Sequence, residues 1–141
     1  MVKYFLPDMN EEENTGEEKG DIEVAEALLN KKEILEKTAR EYFESGNEDL
    51  KKKRYNSALV LFFKCLIALV DIHIYQKTGN TPSSHISRFN ICRDKFQEVY
   101  NLIDKDFPYY QNSYVQIISK ELVEVIKDDA KIMAEKTGIK L

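Results

Sequence analysis

At 141 residues, 43% apolar and 33% charged, the chain is long enough to bury a core without disulfide or metal staples. Six of its 25 acids and two of its 21 bases lie in the first twenty residues, so those residues carry the whole net charge of −4 and 19 acids face 19 bases beyond them. A neutral body lacks the overall positive field that drives non-specific nucleic-acid binding, and five glycines with three prolines argue for long helices over many strands joined by turns.

The opening "VKYFLP" is too short for the apolar core of a secretory signal and runs into acids, which predicts a cytoplasmic protein. Residues 7–20, "PDMNEEENTGEEKG", hold almost no large apolar side chains and read as a disordered acidic tail covering 1–20. Val2, Tyr4, Phe5 and Leu6 ahead of it fit a frayed terminus. One helical domain is expected from 21 to 141, starting with Asp21 as N-cap of a helix through Leu29.

Leu35, Ala39, Tyr42, Gly46, Leu50 and Arg54 recur near 3.6-residue spacing, predicting a first long helix over 31–53. Gly46 lies on that stripe, where a missing side chain admits a neighbouring helix at about 1 kcal/mol of lost propensity. Asn56 or Ser57 is the expected cap of a second helix that ends at Thr78–Gly79. Its segment 58–75, "ALVLFFKCLIALVDIHIY", is apolar nearly all round, as in a helix central to a bundle or shared with a partner. Lys64 and Asp71 interrupt it and argue against a membrane span. A third helix is expected over 87–105 with Ser87 as N-cap and Ile86 stapled to Ile91, and Pro108 then sets apart the aromatic stretch "FPYYQNSY". The last helix starts near Ser119 and ends at Gly138, with Leu122, Val125 or Ile126, Ala130 and Met133 inward. No period-two run is long enough for a sheet, so the expected fold is an all-α, antiparallel up-and-down bundle of four to five helices.

Chemistry-bearing residues are sparse. Cys65 and Cys92 sit in apolar segments without metal-ligand spacing and read as small core residues in a reducing compartment. No phosphate-binding, zinc-protease, nucleophile-elbow or paired-carboxylate pattern occurs, so neither cofactor nor metal is expected. In "PSSHISRF" (82–89), His85 and Arg88 would stand at the positive end of a helix, where a phosphate can be held. The run Lys51, Lys52, Lys53 and Arg54 is a solvated face or an anion site, with the acidic tail as an internal counter-charge. Phe107, Tyr109, Tyr110 and Tyr114 either close one end of the bundle or stack on nucleobases. Lys64 and Asp71, seven residues apart on one helix face, suggest pairing with charges on another chain or a lysine reaching to water. His73 reads as a partly exposed residue near its helix end.

The run from Tyr42 to His85, "YFESGNEDLKKKRYNSALVLFFKCLIALVDIHIYQKTGNTPSSH", resembles the HEPN superfamily (higher eukaryotes and prokaryotes nucleotide-binding). Asp49-Leu50, Arg54-Tyr55-Asn56 and Ala58 carry its pattern of a helix turning directly into a central apolar helix, followed by a loop with Gly79 and Ser84-His85. The similarity covers about residues 38–135 and extends to small archaeal members. It implies a dimerising bundle that binds a nucleotide, RNA or a protein partner such as a nucleotidyltransferase, in toxin–antitoxin or defence settings. Ribonuclease members place a histidine after an arginine with four to six residues between them. Here Leu66, Ile67 and Ala68 precede His73 at that spacing, Thr78, Gly79 and Asn80 precede His85, and Glu98 follows Arg93-Asp94. With that signature absent, the expectation is a non-catalytic binding homodimer with ligand contacts from His85, Arg88, Lys51–Arg54, Tyr109 and Tyr110. The competing readings are a divergent metal-independent ribonuclease using His85 and Arg88 across a dimer cleft, and a plain helical interaction module.

Overall fold

A computed structural model describes residues 31–141; the expectations for the acidic tail, for Tyr4, Phe5 and Leu6, and for a helix at 21–29 lie outside it. Among the described residues there are five helices and no strand: α1 (Lys31–Lys51), α2 (Tyr55–Thr78), α3 (His85–Lys95), α4 (Gln97–Asn112) and α5 (Lys120–Thr137).

α1 and α2 form an antiparallel hairpin: Asp49 meets Ser57 near the turn, and Phe43 and Gly46 meet Phe62 further along. Gly46 is buried, and a Cβ there would stand 2.8 Å from the Phe62 ring, so the close approach expected of this glycine is present. The turn between them is closed by Lys53 N–H to Leu50 C=O at 3.0 Å and Arg54 N–H to Asp49 C=O at 2.8 Å, with Lys53 at φ 63°. That is a Schellman ending with lysine where glycine is the low-energy choice. α2 therefore starts two to three residues earlier than expected, with Arg54 as an N-cap that makes no side-chain capping hydrogen bond. Asn56 and Ser57, the expected caps, are already inside the helix and bond outward instead.

α2 is the axis of the fold. Its buried residues point in every direction, from Ala58 and Leu59 to Ile72 and Ile74, because α1, α4 and α5 all pack against it. Phe63 stacks on Tyr110 and His73 meets the edge of Phe96, so α4 runs antiparallel to α2. Lys127 lies over Phe62 and Gln76 donates to the Thr137 carbonyl, so α5 runs parallel to it. The long helices α1, α2, α4 and α5 thus alternate in direction as an up-and-down bundle, and one chain suffices to bury the all-apolar helix. α2 is long and apolar enough to cross a membrane, yet 78% of its most apolar window is buried inside the bundle.

The second half departs from the sequence reading in three places. The expected single helix over 87–105 is two helices broken at Phe96, which has φ −133° and ψ 74°. The break folds α3 back along α4, putting Phe89 against Tyr100 and Phe107, with ring centroids 6.3 and 5.5 Å away. A continuous helix would hold residues 89 and 107 about 27 Å apart. Pro108 does not end its helix either; α4 runs through it to Asn112, because the missing N–H costs only the bond to Asp104, an exposed residue. α3 begins three residues early, with Ser84 rather than Ser87 as N-cap, its hydroxyl accepting from Ser87 N–H at 3.0 Å. Ile86 is consequently exposed and makes no staple. Ser119 and Gly138 bound α5 as expected, the first accepting from Leu122 N–H and the second at φ 79°. Ile126, Ala130 and Met133 face the core from α5, joined by Val123, while Val125 is exposed.

Candidate functional site

The two halves of "PSSHISRF" have different fates. Arg88 is wholly buried and grips Asp71 of α2 with two parallel hydrogen bonds, Nε to Oδ1 at 2.7 Å and Nη2 to Oδ2 at 3.0 Å. The remaining guanidinium edge reaches His85 Nδ1, with Nη1 at 2.6 Å. Arg88 was expected to face an anion at a helix N-terminus; it neutralises a buried carboxylate instead, because one acid in an apolar helix requires a charge partner. Asp71 correspondingly pairs within the chain, not with a second one. His85 is half-buried between Phe89 and Phe107. Burial, and secondarily the Arg88 charge, hold its pKa down to about 4, so the ring is neutral at physiological pH. Since Nδ1 accepts from Arg88, the ring proton sits on Nε2, which is buried without a hydrogen-bond partner among the described residues. A neutral imidazole whose acceptor nitrogen is already engaged is poorly placed for proton transfer near neutral pH. His73, expected at the surface, is buried against Phe96, and burial lowers its pKa as well.

The aromatic stretch also turns inward. Tyr110 stacks on Phe63 at 4.7 Å between centroids and exchanges a hydrogen bond of 2.7 Å with the Tyr114 hydroxyl, and burial raises its pKa. Phe107 joins the same cluster, and Tyr109 is half-buried against the core. Of these rings only Tyr114 is exposed. Cys65 and Cys92 are buried free thiols whose pKa values burial pushes up to about 12, which keeps them protonated.

The basic run at the α1–α2 turn has the opposite character: Lys51, Lys52, Lys53 and Arg54 are all exposed. Beside them lies a cleft of about 480 Å³ lined by Asn47, Leu50, Lys51, Lys53, Tyr55, Lys120 and Lys127. Four lysines from three elements therefore converge on one concavity with an aromatic ring and an amide. Lys127 is set against the faces of Phe43 and Phe62, 5.8 and 5.9 Å from their centroids, and Lys120 lies 3.8 Å from Glu124. Lys51 and Lys53 have no ion pair among the described residues. Lys53 enters from a backbone conformation that glycine would adopt more cheaply. Lys120 and Lys127 were missed in the sequence, though their seven-residue spacing on α5 puts them on one face.

A carboxylate pair was also missed. Asp106 of α4 is fully buried, and Asp129 of α5 nearly so. Lys105 Nζ sits 3.0 Å from Asp106 Oδ1 and 2.7 Å from Asp129 Oδ2. Burial first, and then Asp129, push the Asp106 pKa up to about 8 against the pull of Lys105. Asp106 is therefore shifted towards its protonated form, and the trio ties α4 to α5.

No family model, curated protein or solved structure matches the chain.

Proposed function

We propose that this chain is a non-catalytic, HEPN-like helical bundle that binds a phosphate-bearing ligand, a nucleotide or a stretch of RNA, in the lysine cleft at the α1–α2 turn. The observation that carries the reading is the convergence of Lys51, Lys53, Lys120 and Lys127 around Tyr55 and Asn47 in about 480 Å³, a volume suited to a small ligand. Lysines supply point charges for phosphate oxygens, the Tyr55 ring offers a face to a base, and the Asn47 amide can both donate and accept. A strained backbone at Lys53 is the kind of cost retained where a side chain has a task. The resemblance quoted above, which spans this same turn, supports the reading and brings with it a homodimer, a nucleotidyltransferase-type partner and a cytoplasmic setting as further proposals. Light scattering at micromolar concentration tests the dimer.

The ribonuclease alternative draws no support from the arrangement around His85, since Arg88 is committed to Asp71 and the imidazole is neutral. Binding is tested by titrating fluorescent ATP and a labelled single-stranded RNA into the protein at low salt. Lys53→Glu and Lys127→Glu are each expected to weaken binding about tenfold or more and to reduce its salt dependence. Equal affinity of wild type and both variants, or no binding at low salt, overturns the proposal.

A further inference from the structure

Alternation of the helices brings two turns to the same end of the bundle, residues 52–54 between α1 and α2 and residues 113–119 between α4 and α5. The second turn is a rigid spur. Asn56 of α2 holds it from inside, donating to the carbonyls of Ser113 at 2.8 Å and Gln116 at 2.6 Å and accepting from Ile118 N–H at 3.0 Å. The turn closes on itself as well, with Val115 N–H on Asn112 C=O at 3.0 Å and Gln116 N–H on the same carbonyl at 2.8 Å. Ile118 is buried as its anchor.

This fixed frame holds apolar side chains out in water: Tyr114 is 64% exposed, Val115 79% and Ile117 95%. Around its root stand the exposed cations Lys52, Lys53, Arg54 and Lys120, with Arg54 partly answered by Asp49 at 3.8 Å and Lys120 by Glu124. Glu48 and Glu121 are the exposed acids nearby in sequence, so the end remains cationic but modestly so. Two features choose the partner. The spur is convex, so a protein would need a pocket matched to it, whereas a lipid interface adapts to any protrusion. Its collar is positive, so the surface it fits is negative.

We propose that this end of the bundle docks reversibly on an anionic lipid bilayer. Val115 and Ile117 enter the boundary of the acyl chains, the Tyr114 ring lies at headgroup level, and Lys52, Lys53 and Arg54 face the headgroup phosphates. The contact is peripheral, and α2 takes no part, being enclosed by its own bundle.

Co-sedimentation of the full chain with vesicles of phosphatidylcholine and phosphatidylserine in equal parts, against phosphatidylcholine alone, tests this. Binding is expected to the mixed vesicles only and to fade with added salt. The double variant Val115→Ser/Ile117→Ser is expected to lower partitioning about tenfold or more, and its exposed positions leave the fold intact. Lys52→Glu is expected to weaken it several-fold, whereas Lys127→Glu, inside the cleft, leaves it unchanged and so separates this surface from the ligand site. Absence of binding to the mixed vesicles at low salt overturns the proposal. So does equal partitioning of wild type and the double variant, or a loss of RNA binding by that variant without any vesicle binding by the wild type.

Discussion

Arg88→Ala tests the buried ion pair most directly. Both partners are fully buried, and the guanidinium makes two charge-assisted hydrogen bonds to Asp71 and a third contact to His85. Removing the arginine leaves a carboxylate in the middle of an apolar helix, and stranding one charge of a buried pair costs about 3–5 kcal/mol. For a body of this size each kcal/mol moves Tm by about 4 °C, so a fall of about 12–20 °C is expected. Asp71→Ala strands the arginine and should cost a similar amount. The double variant removes both charges, so its cost should fall short of the sum of the singles by about 2 kcal/mol or more. Urea unfolding followed by circular dichroism, with the slope compared among variants, measures all three. A replacement of both by apolar residues, Asp71→Leu with Arg88→Met, should recover most of the loss, since such pairs are often neutral or favourable to replace. Arg88→Ala within about 0.5 kcal/mol of wild type, or strict additivity in the double variant, would refute the argument that Arg88 is a structural residue.

Gly46→Ala sets a gain in helix propensity of about 1 kcal/mol against a Cβ 2.8 Å from the buried Phe62 ring, and a net loss of about 1–2 kcal/mol is expected in the same unfolding assay. Ser84→Ala should cost about 1 kcal/mol as a lost N-cap, and Ser87→Ala less than about 0.5 kcal/mol, the reverse of what the sequence alone suggests. Lys53→Gly should stabilise by about 1 kcal/mol through relief of the positive φ while weakening binding of ATP or RNA, a split that a purely structural lysine would not produce. Asp106 has a folded pKa of about 8, above its unfolded value near 3.9, so the folded state binds the extra proton and the stability it brings is lost as pH rises towards and through 8. Asp106→Asn should remove that decline and unfold at higher urea than wild type at pH 9, by about 1–3 kcal/mol; parallel pH profiles for the two proteins would count against the shifted carboxyl.

Features encoded within one window of sequence were legible. The α1 stripe with Gly46, the run of α2 to Gly79, and the Ser119 and Gly138 limits of α5 all depend on residues three or four apart and on caps, and all are found in the fold. What the windows missed was decided by distant partners. Nothing in "RDKFQEV" forces a break at Phe96: the run holds no glycine or proline, and the break serves to bring Phe89 back onto Phe107. Pro108 gave a strong stop signal that packing overrode, since Phe107 and Tyr110 on either side of it are both drawn into the aromatic cluster around Phe63. In the cleft, Lys51 and Lys53 were visible as a run, but Lys120 and Lys127 look like any solvated helix face until α5 is laid beside the α1–α2 turn.

The Ser84–Ser87 ambiguity shows where the missing information was stored. Either serine satisfies the local rules for a cap, so local chemistry leaves two starts for α3 three residues apart. Starting the helix at His85 places Arg88 within its first turn, where the guanidinium reaches Asp71 and the next ring nitrogen along is His85 Nδ1. A helix begun three residues later would leave Arg88 at its first position and alter that reach. The acid in α2 thus favours this start and docking position of α3, because the placement gives the buried carboxylate its charge partner. The sequence did carry that signal: a single aspartate in an otherwise apolar helix demands a cation from elsewhere. Pairing it with a charge on a second chain sought that cation too far away. Arginines among the residues that follow the helix were the right field of search, and Arg88, bracketed by Ser84 and Phe89, is the one whose neighbours fit both a cap and the aromatic cluster.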